Sequence, residues 1–275
     1  MTDITIAFSP CPNDTFIFDA LVHEKIDTEG LNFIPVLQDV QSLNESALQQ
    51  KFDVSKISYG MLPKLTDHYK LLSAGSALGN GVGPLFIKHP DLDNEEMENL
   101  PVAIPGENTT AHLLFSLAYP QLKNKVFVRY DEVEPYVSAK KGAGVIIHEN
   151  RFTYEAKGLE KICDLGDFWE NKTGSAIPLG GIVVNKNIDE RLQKKIDALI
   201  KKSIEFSFST YPLLSDYIRE YAMEMSEDVM RKHIDLYVNE HSLDIGETGR
   251  NAVKTLINIY DEMHQQQTNT SDIFV

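Results

Sequence analysis

The chain has 275 residues, of which 42% are hydrophobic and 24% charged, proportions typical of a globular protein with a sizeable buried core. Its formal net charge of -15 disfavours nucleic acid and anionic membranes as partners. An anionic ligand fits that charge only if local hydrogen-bond donors hold it, because the field of the whole chain opposes it.

The compartment is predicted from the cysteines and the first residues. Cys11 and Cys163 are too few for a disulfide framework, which favours a reducing compartment. The opening MTDITIAFSP carries an acid and lacks the basic and long apolar regions of a secretory signal. No apolar run approaches the roughly 20 residues of a membrane span. We therefore expect a cytoplasmic protein without a membrane span.

Strands and helices alternate in the first part of the chain. Runs of apolar and β-branched residues predict strands, and amphipathic runs predict helices. The predicted order is ITIAFS (strand), TFIFDALVHEKI (helix), LNFIPVLQD (strand), VQSLNESALQQ (helix), FDVSKISYG (strand), MLPKLTDHY (helix) and LLSAGSAL (strand).

A glycine-rich bend, GNGVG, precedes a second alternating set and a helical tail. The second set is VGPLFIKHP (strand), LPVAIPG (strand), TTAHLLFSLAYP (helix), KVFVRYD, AGVIIHE and IPLGGIVVNK (all strands). In the tail, Asn187 and Glu190 resemble a capping box at a helix start. Helical spacing relates Leu192, Ile196, Leu199, Ile200 and Ile204, and again Val253, Leu256, Ile257 and Tyr260.

This order predicts an α/β fold with parallel sheets and helices on both faces. The bend and the all-helical tail predict two lobes. We expect a discontinuous first lobe, residues 1–85 plus 187–275, and an inserted second lobe, residues 86–186. Two crossing strands would form the hinge.

Special residues cluster where the first predicted strand ends. In SPCPNDTF, the two prolines stop the strand and exclude a helix before Asn13. Asn13, Asp14 or Thr15 would then cap the next helix. Ordinary capping and turn chemistry explains this segment as well as ligand binding does.

Three further strand exits carry polar residues. Ser58 ends VSKIS, Thr109 and Thr110 begin a helix in GENTT, and His148 follows the buried strand GVII. Ligands of open α/β sheets bind at the carboxyl ends of strands, and helix N-termini attract anions. The four exits together predict a site for a carboxylate. Plain N-capping for the threonines and a structural role for the histidine stay open as alternatives.

Other motifs are incomplete. His148 and Glu149 begin like the zinc-protease motif, but Phe152 stands where the second histidine belongs, so no metal site is predicted. The GNGVG segment lacks the strand-to-helix context of a dinucleotide site. Cys11 lies at a helix start, which could lower the pKa of its thiol, although its flanking prolines fit simple packing equally well.

Four segments, SPCPNDTF, VSKISYG, PGENTTAHLL and GVIIHENRFTY, together resemble the 1,4-dihydroxy-6-naphthoate synthases of the futalosine route to menaquinone. The resemblance extends over essentially the whole chain. It implies a two-lobed fold like the type II periplasmic binding proteins, with a ligand cleft between the lobes. It also implies a lyase that converts cyclic dehypoxanthine futalosine, a small-molecule carboxylate, to 1,4-dihydroxy-6-naphthoate without a cofactor or a metal.

The resemblance also implies roles for particular residues. His148 would be the proton acceptor, removing a carbon-bound proton before bond cleavage and aromatisation. Glu149 should point away from His148 if the strand continues. Substrate-binding candidates are Lys56, Ile57, Ser58, Thr109 and Thr110, together with Asn13 and Asp14 from the first strand exit.

Three alternatives stay open. The first is the sister enzyme chorismate dehydratase, against which the GVIIHE segment counts. The second is a solute-binding protein that catalyses nothing. The first residues do not resemble a secretory signal, which counts against this alternative. The third is a ligand-sensing regulatory domain, which the acidic charge and the lack of a DNA-binding appendage disfavour.

Overall fold

The computed structural model describes residues 2–93, 99–222 and 226–275. Strands and helices alternate along most of the chain, as predicted. The strands are β1 Thr2–Phe8, β2 Leu31–Leu37, β3 Val54–Ser58, β4 Tyr69–Leu71, β5 Ala77–Gly79, β6 Leu85–Lys88, β7 Val102–Ile104, β8 Lys125–Phe127, β9 Ala143–Ile146, β10 Glu160–Asp164 and β11 Ile177–Asn185.

Helices cover both sheets and form the tail. The α-helices described in full are α1 Pro12–Val22, α2 Val40–Leu48, α3 Thr110–Ala118, α4 Val133–Ser138, α5 Asn150–Thr153, α6 Leu165–Thr173, α7 Glu190–Thr210, α8 Asp216–Tyr221, α9 Glu227–Tyr237, α10 Glu240–Leu243 and α11 Gly246–His264. Short 3₁₀ helices span Tyr59–Lys64, Tyr130–Glu132 and Glu155–Lys157. Among the described helices, none is long and apolar enough to cross a membrane.

The strands form two sheets. The first has the order β2-β1-β3-β11-β4, with β5 also paired to β11, and the second has the order β10-β6-β9-β7-β8. Each sheet contains strands from one continuous stretch of chain, except that β11 returns to the first sheet after the whole of the second. The predicted lobe boundaries stay a prediction. We note that β11 lies inside the range assigned to the inserted lobe but pairs in the first sheet.

The prediction of parallel sheets was wrong in part. β1 is parallel to β2 and β3, and β7 is parallel to β8 and β9, but β11 is antiparallel to β3, β4 and β5, and β6 is antiparallel to β9 and β10. The physical reason lies in the path of the chain. β5 leads out to the second sheet and β11 leads back to the first. These two paired strands therefore run in opposite directions.

Some predicted elements differ in their bounds. The predicted helix MLPKLTDHY is a 3₁₀ helix, Tyr59–Lys64, because Pro63 cannot donate an α-helical hydrogen bond. The predicted strand LLSAGSAL is interrupted, since β4 ends at Leu71 and β5 begins at Ala77. Between them Gly75 adopts a φ of 82°, which extended strands do not.

The start of α1 also corrects a prediction. The helix begins at Pro12 with Cys11 as its N-cap, and neither Asn13 nor Asp14 nor Thr15 is the cap. Proline is favoured at the first helical position because its missing N–H would have no partner there and its φ is already helical. The N-cap of α1 therefore lies at least two residues earlier in the chain than expected.

The helical tail agrees with its predicted apolar faces. Ile196, Leu199, Ile200 and Ile204 of α7 are fully buried, as are Val253, Leu256 and Ile257 of α11, whereas Leu192 is partly buried. The predicted capping box was wrong, since α7 begins at Glu190 and the side chain of Asp189 accepts the hydrogen bond from the Arg191 N–H. Helices α8 to α10, between these two, have no counterpart in the prediction.

Candidate functional site

A cavity lies where the exits of β1, β3 and β9 meet the start of α3. Most of the wall is apolar, and a few polar side chains interrupt it. All eight of the side chains predicted from the sequence line this one cavity: Asn13, Asp14, Lys56, Ile57, Ser58, Thr109, Thr110 and His148.

A buried ion pair forms the polar end of the cavity. The ammonium of Lys56 lies 3.3 Å from Oδ1 of Asp14 and donates a hydrogen bond to the Gly75 carbonyl at 2.7 Å. The other carboxylate oxygen of Asp14 accepts hydrogen bonds from the Ser9 N–H and hydroxyl. An ammonium has three N–H donors, so Lys56 keeps donor capacity for a ligand. Buried ion pairs are costly to desolvate, which points to a polar partner at this end.

Asn13 brings a polar atom that the protein does not satisfy. Its amide donates to Oδ1 of Asp14 at 2.9 Å, while its own carbonyl oxygen is buried and has no hydrogen-bond partner among the described residues. Nearly all buried polar atoms in proteins are hydrogen-bonded. This oxygen therefore marks a position where a donor of the ligand can bind.

Ser58 is hydrogen-bonded to Asn44 of α2, and these bonds do not use its hydroxyl proton. The amide of Asn44 accepts a hydrogen bond from the Ser58 N–H at 2.9 Å and donates to the Ser58 hydroxyl oxygen at 3.0 Å. The same amide donates to the Asn108 carbonyl at 2.7 Å, which joins α2, β3 and the loop before α3. Because the Ser58 oxygen only accepts in these contacts, its hydroxyl proton can point at a ligand.

Both threonines at the start of α3 donate their hydroxyl protons to backbone carbonyls of the protein. Thr109 is the N-cap, as its position in GENTT indicated, and its hydroxyl accepts from the His112 N–H and donates to the Gly106 carbonyl. The hydroxyl of Thr110 donates to the Leu179 carbonyl at 2.7 Å. A hydroxyl has one proton, so neither side chain has a proton left for a carboxylate. The donors at this point are the N–H groups of the first turn of α3.

His148 lies just beyond the end of β9 in an unusual backbone conformation. The strand ends at Ile146, and His148 sits in a turn with a φ of 57°. Left-handed conformations of this kind cost about 1–3 kcal/mol and are frequent at functional sites. The imidazole packs edge-on against Tyr130, with the ring centroids 5.0 Å apart.

The protonation of His148 results from two opposing influences. Burial lowers the pKa of His148 from its ordinary value of 6.5, while the negative charges of Glu149, Asp14 and Asp39 act in the raising direction. Because burial prevails, the imidazole is neutral at pH 7. A neutral imidazole exposed to a cavity is able to accept a proton from a bound ligand.

Glu149 is closer to this chemistry than the sequence indicated. The expectation that it points away required β9 to continue, but the strand ends before His148. Glu149 is 8% exposed, and its Oε2 atom has no hydrogen-bond partner among the described residues. Of the three carboxylates that raise the pKa of His148, Glu149 has the largest effect.

Cys11 does not fit the role of a nucleophile. The helix start does not lower the pKa of its thiol, because burial raises that pKa well above its ordinary value and the charge of Glu149 raises it further. The thiol is therefore protonated at neutral pH. Within the described ranges, no group of three or more histidine, cysteine or acidic side chains could hold a metal ion.

The sequence analysis did not find the far wall of the cavity. Tyr237 of α9 lines it, as do Leu179 and Gly180 of β11. At Gly180 a Cβ atom would lie 2.9 Å from the Ile57 carbonyl oxygen, so the close pairing of β11 with β3 requires glycine there. A signal for α9 was present, since its buried residues recur at helical spacing. They are Met230, His233, Ile234 and Tyr237.

Comparisons with known proteins agree with this arrangement. A protein from Archaeoglobus fulgidus superposes with a TM-score of 0.88 at 27% identity, covering 96% of this chain and 98% of the other. The zinc-bound ligand-binding component of an ABC-type import system from Staphylococcus aureus gives 0.68 at 15% identity, covering 100% of this chain and 96% of the other. The periplasmic aliphatic sulphonate binding protein of Escherichia coli gives 0.67 at 9% identity, covering 100% and 92%.

The fold is thus that of the periplasmic binding proteins, α/β with a ligand cavity, which confirms the predicted fold class. Residues 4–262 match a family described as menaquinone biosynthesis, and the chain belongs to that family.

Two curated relatives carry the same enzyme name, 1,4-dihydroxy-6-naphthoate synthase. The one from Thermus thermophilus is 42% identical over 257 residues, which are 93% of this chain and 93% of the relative. The one from Streptomyces coelicolor is 38% identical over 262 residues, or 92% of this chain and 91% of the relative. The family resemblance drawn from the four segments is thereby confirmed.

Proposed function

We propose that this protein is a lyase that converts cyclic dehypoxanthine futalosine to 1,4-dihydroxy-6-naphthoate, with His148 as the proton acceptor. The observation that carries the proposal is the convergence of all eight predicted side chains on one cavity, in a chain of the menaquinone biosynthesis family. The names of the two curated relatives support the same reaction. The cytoplasmic location expected from the sequence stays a prediction.

The walls of the cavity suit the two ends of such a substrate. An aromatic ring system packs against apolar side chains such as Leu43, Val82 and Ile147. The substrate carboxylate is held by the Ser58 hydroxyl and by the N–H groups at the start of α3, where the helix dipole favours negative charge. Lys56 adds a positive charge to a protein whose overall charge is negative.

His148 begins the reaction by taking a carbon-bound proton next to a carbonyl group of the substrate. The electron pair left on carbon moves toward the bond that breaks, and a sugar-derived fragment leaves. Formation of the aromatic naphthalene ring drives this sequence, and the electrons balance within the substrate. While it holds this proton, His148 carries a positive charge, which the buried carboxylate of Glu149 stabilises; return of the proton to the departing fragment restores the neutral base.

Mass spectrometry of the purified protein incubated with cyclic dehypoxanthine futalosine tests the proposal. We expect 1,4-dihydroxy-6-naphthoate to appear with multiple turnovers, and chorismate supplied in parallel to be unchanged. Dehydration of chorismate would assign the protein to the sister activity. Tight binding of the futalosine derivative with no product would make it a binding protein and contradict the proposal.

A further inference from the structure

A second buried histidine, His233, lies close to His148 and makes no hydrogen bond with the described residues. His233 of α9 is 0% exposed, and neither of its ring nitrogens has a hydrogen-bond partner among the described residues. A neutral imidazole carries one donor and one acceptor, and leaving both unsatisfied in the interior destabilises a protein. An apolar ring would fill the same space without this penalty.

Two polar rings, those of His148 and Tyr237, lie close to His233. Its imidazole lies 6.0 Å from that of His148 between centroids, with an angle of 44° between the planes. It also packs edge-on against Tyr237, at 4.7 Å between centroids and 61° between planes. Tyr237 and His148 both line the cavity, and His233 does not. His233 can therefore influence a ligand only through these neighbours.

We infer that His233 is a positioning residue for His148, in that one of its ring nitrogens accepts a hydrogen bond from the imidazolium that His148 becomes on taking the substrate proton. The inference rests on the proposed function. The proton does not pass from His148 to His233, and His233 remains neutral throughout. At the observed separation the contact forms after a small rotation of the rings or through one water molecule.

The electrostatics of the pair agree with this division of roles. Burial lowers the pKa of His233 well below its ordinary value, and a charge on His148 lowers it further. Among the described residues no acidic group opposes these two causes, in contrast to His148, on which three carboxylates act. Of the two imidazoles, His148 is thus the one that becomes charged, and His233 is the one that keeps a free lone pair.

The substitution His233→Phe separates this role from a structural one. Phenylalanine keeps the edge-on contact with Tyr237 and removes the unsatisfied nitrogens, so the melting temperature should stay the same or rise. The kcat should fall about 10- to 100-fold, the usual effect of losing a hydrogen bond to a charged group, with KM little changed. In His233→Gln, whose amide is a neutral acceptor, most of the turnover should return.

Two further variants supply the controls. His23 also packs edge-on against a tyrosine, at 4.6 Å from Tyr217, but its side chain is 45% exposed and outside the cavity, so His23→Phe should keep the wild-type kcat. In a His148→Asn background, adding His233→Phe should cost nothing further, because the two residues act as a unit. A full additional loss in that background would overturn the inference, as would wild-type turnover in a folded His233→Phe protein.

Titration of the His148 ring by NMR tests the inference without substrate. A neutral acceptor favours the charged imidazole, so the pKa of His148 should be lower in His233→Phe than in the wild type. Glu149, Asp14, Asp39 and Tyr130 also act on or pack against His148, and they are the same in both proteins. An unchanged pKa would overturn the inference. Absence of turnover by the wild type would instead contradict the proposed function, and the titration would still decide this point.

Discussion

His148 combines two properties that oppose each other in an exposed side chain. Its pKa is lowered by burial, so the ring is neutral and ready to accept a proton at pH 7. The neighbouring carboxylates keep that proton affinity from falling too far, so the ring is still basic enough to react. A base of this kind works best when its pKa lies near or below the working pH.

Replacing Glu149 with glutamine should move the acidic limb of the pH profile. In the wild type, kcat/KM should be lost as the pH falls through the pKa of His148, which lies below 6.5. Glu149→Gln removes the carboxylate with the largest raising effect on this pKa, so the acidic limb should move to still lower pH. The exposed substitution Glu247→Gln on α11 serves as the control and should leave the limb in place. A limb that moves to higher pH in Glu149→Gln would contradict this account of the base.

At the scale of elements, the hydroxyl of Thr109 stabilises the start of α3. Thr109 caps the helix through the His112 N–H and ties the loop before it through the Gly106 carbonyl. Thr109→Val keeps the shape and removes both contacts, so the free energy of unfolding should fall by about 0.5–2 kcal/mol. Thr109→Ser should retain most of the stability. Urea unfolding of the two variants checks this, and an unaltered midpoint in Thr109→Val would contradict the capping role.

The elements with strong local signals were predictable from the sequence. The apolar face of α7 and the polar start of α3 depend on spacing and capping within a few residues, and both are found in the structure. The direction of β11 was not predictable from local pattern, because it depends on the path of the chain between two sheets. The turn at His148 was missed for a similar reason, since tertiary packing holds its left-handed backbone.

The site shows the same division between local and tertiary information. The strand exits predicted most of the polar side chains of the cavity from the carboxyl-end rule for α/β sheets, whereas Lys56 followed from the family resemblance. They did not reveal that the hydroxyl protons of Thr109 and Thr110 are donated to backbone carbonyls, because the acceptors are fixed by folding. His233 was missed because α9 was not recognised, although its buried positions follow helical spacing.

At the scale of the whole molecule, buried neutral histidines should make the protein sensitive to acid. The pKa values of His112, His148 and His233 are all lowered by burial. The unfolded chain binds protons at these residues near the ordinary value of 6.5, whereas the folded chain does not. The free energy of unfolding should therefore be highest above that pH and should decrease as the pH falls from that value toward the lowered pKa of each histidine in the folded protein.

Urea unfolding at pH 7.5 and at pH 5.5 measures this sensitivity. We expect the wild type to lose stability over this interval, and His233→Phe to lose less, because one buried neutral histidine is gone. An equal loss in His233→Phe and in the wild type would show that His233 is not held neutral by folding.

The central claim is that His148 takes the substrate proton in a cavity that binds the substrate by other groups. The direct measurement is the turnover of His148→Asn with cyclic dehypoxanthine futalosine at saturation, together with the dissociation constant and the melting temperature. We predict unchanged folding, binding close to that of the wild type, and a kcat reduced by about 10²–10⁴, the usual contribution of a positioned general base. Near-normal turnover by a folded, saturated His148→Asn protein would contradict the claim.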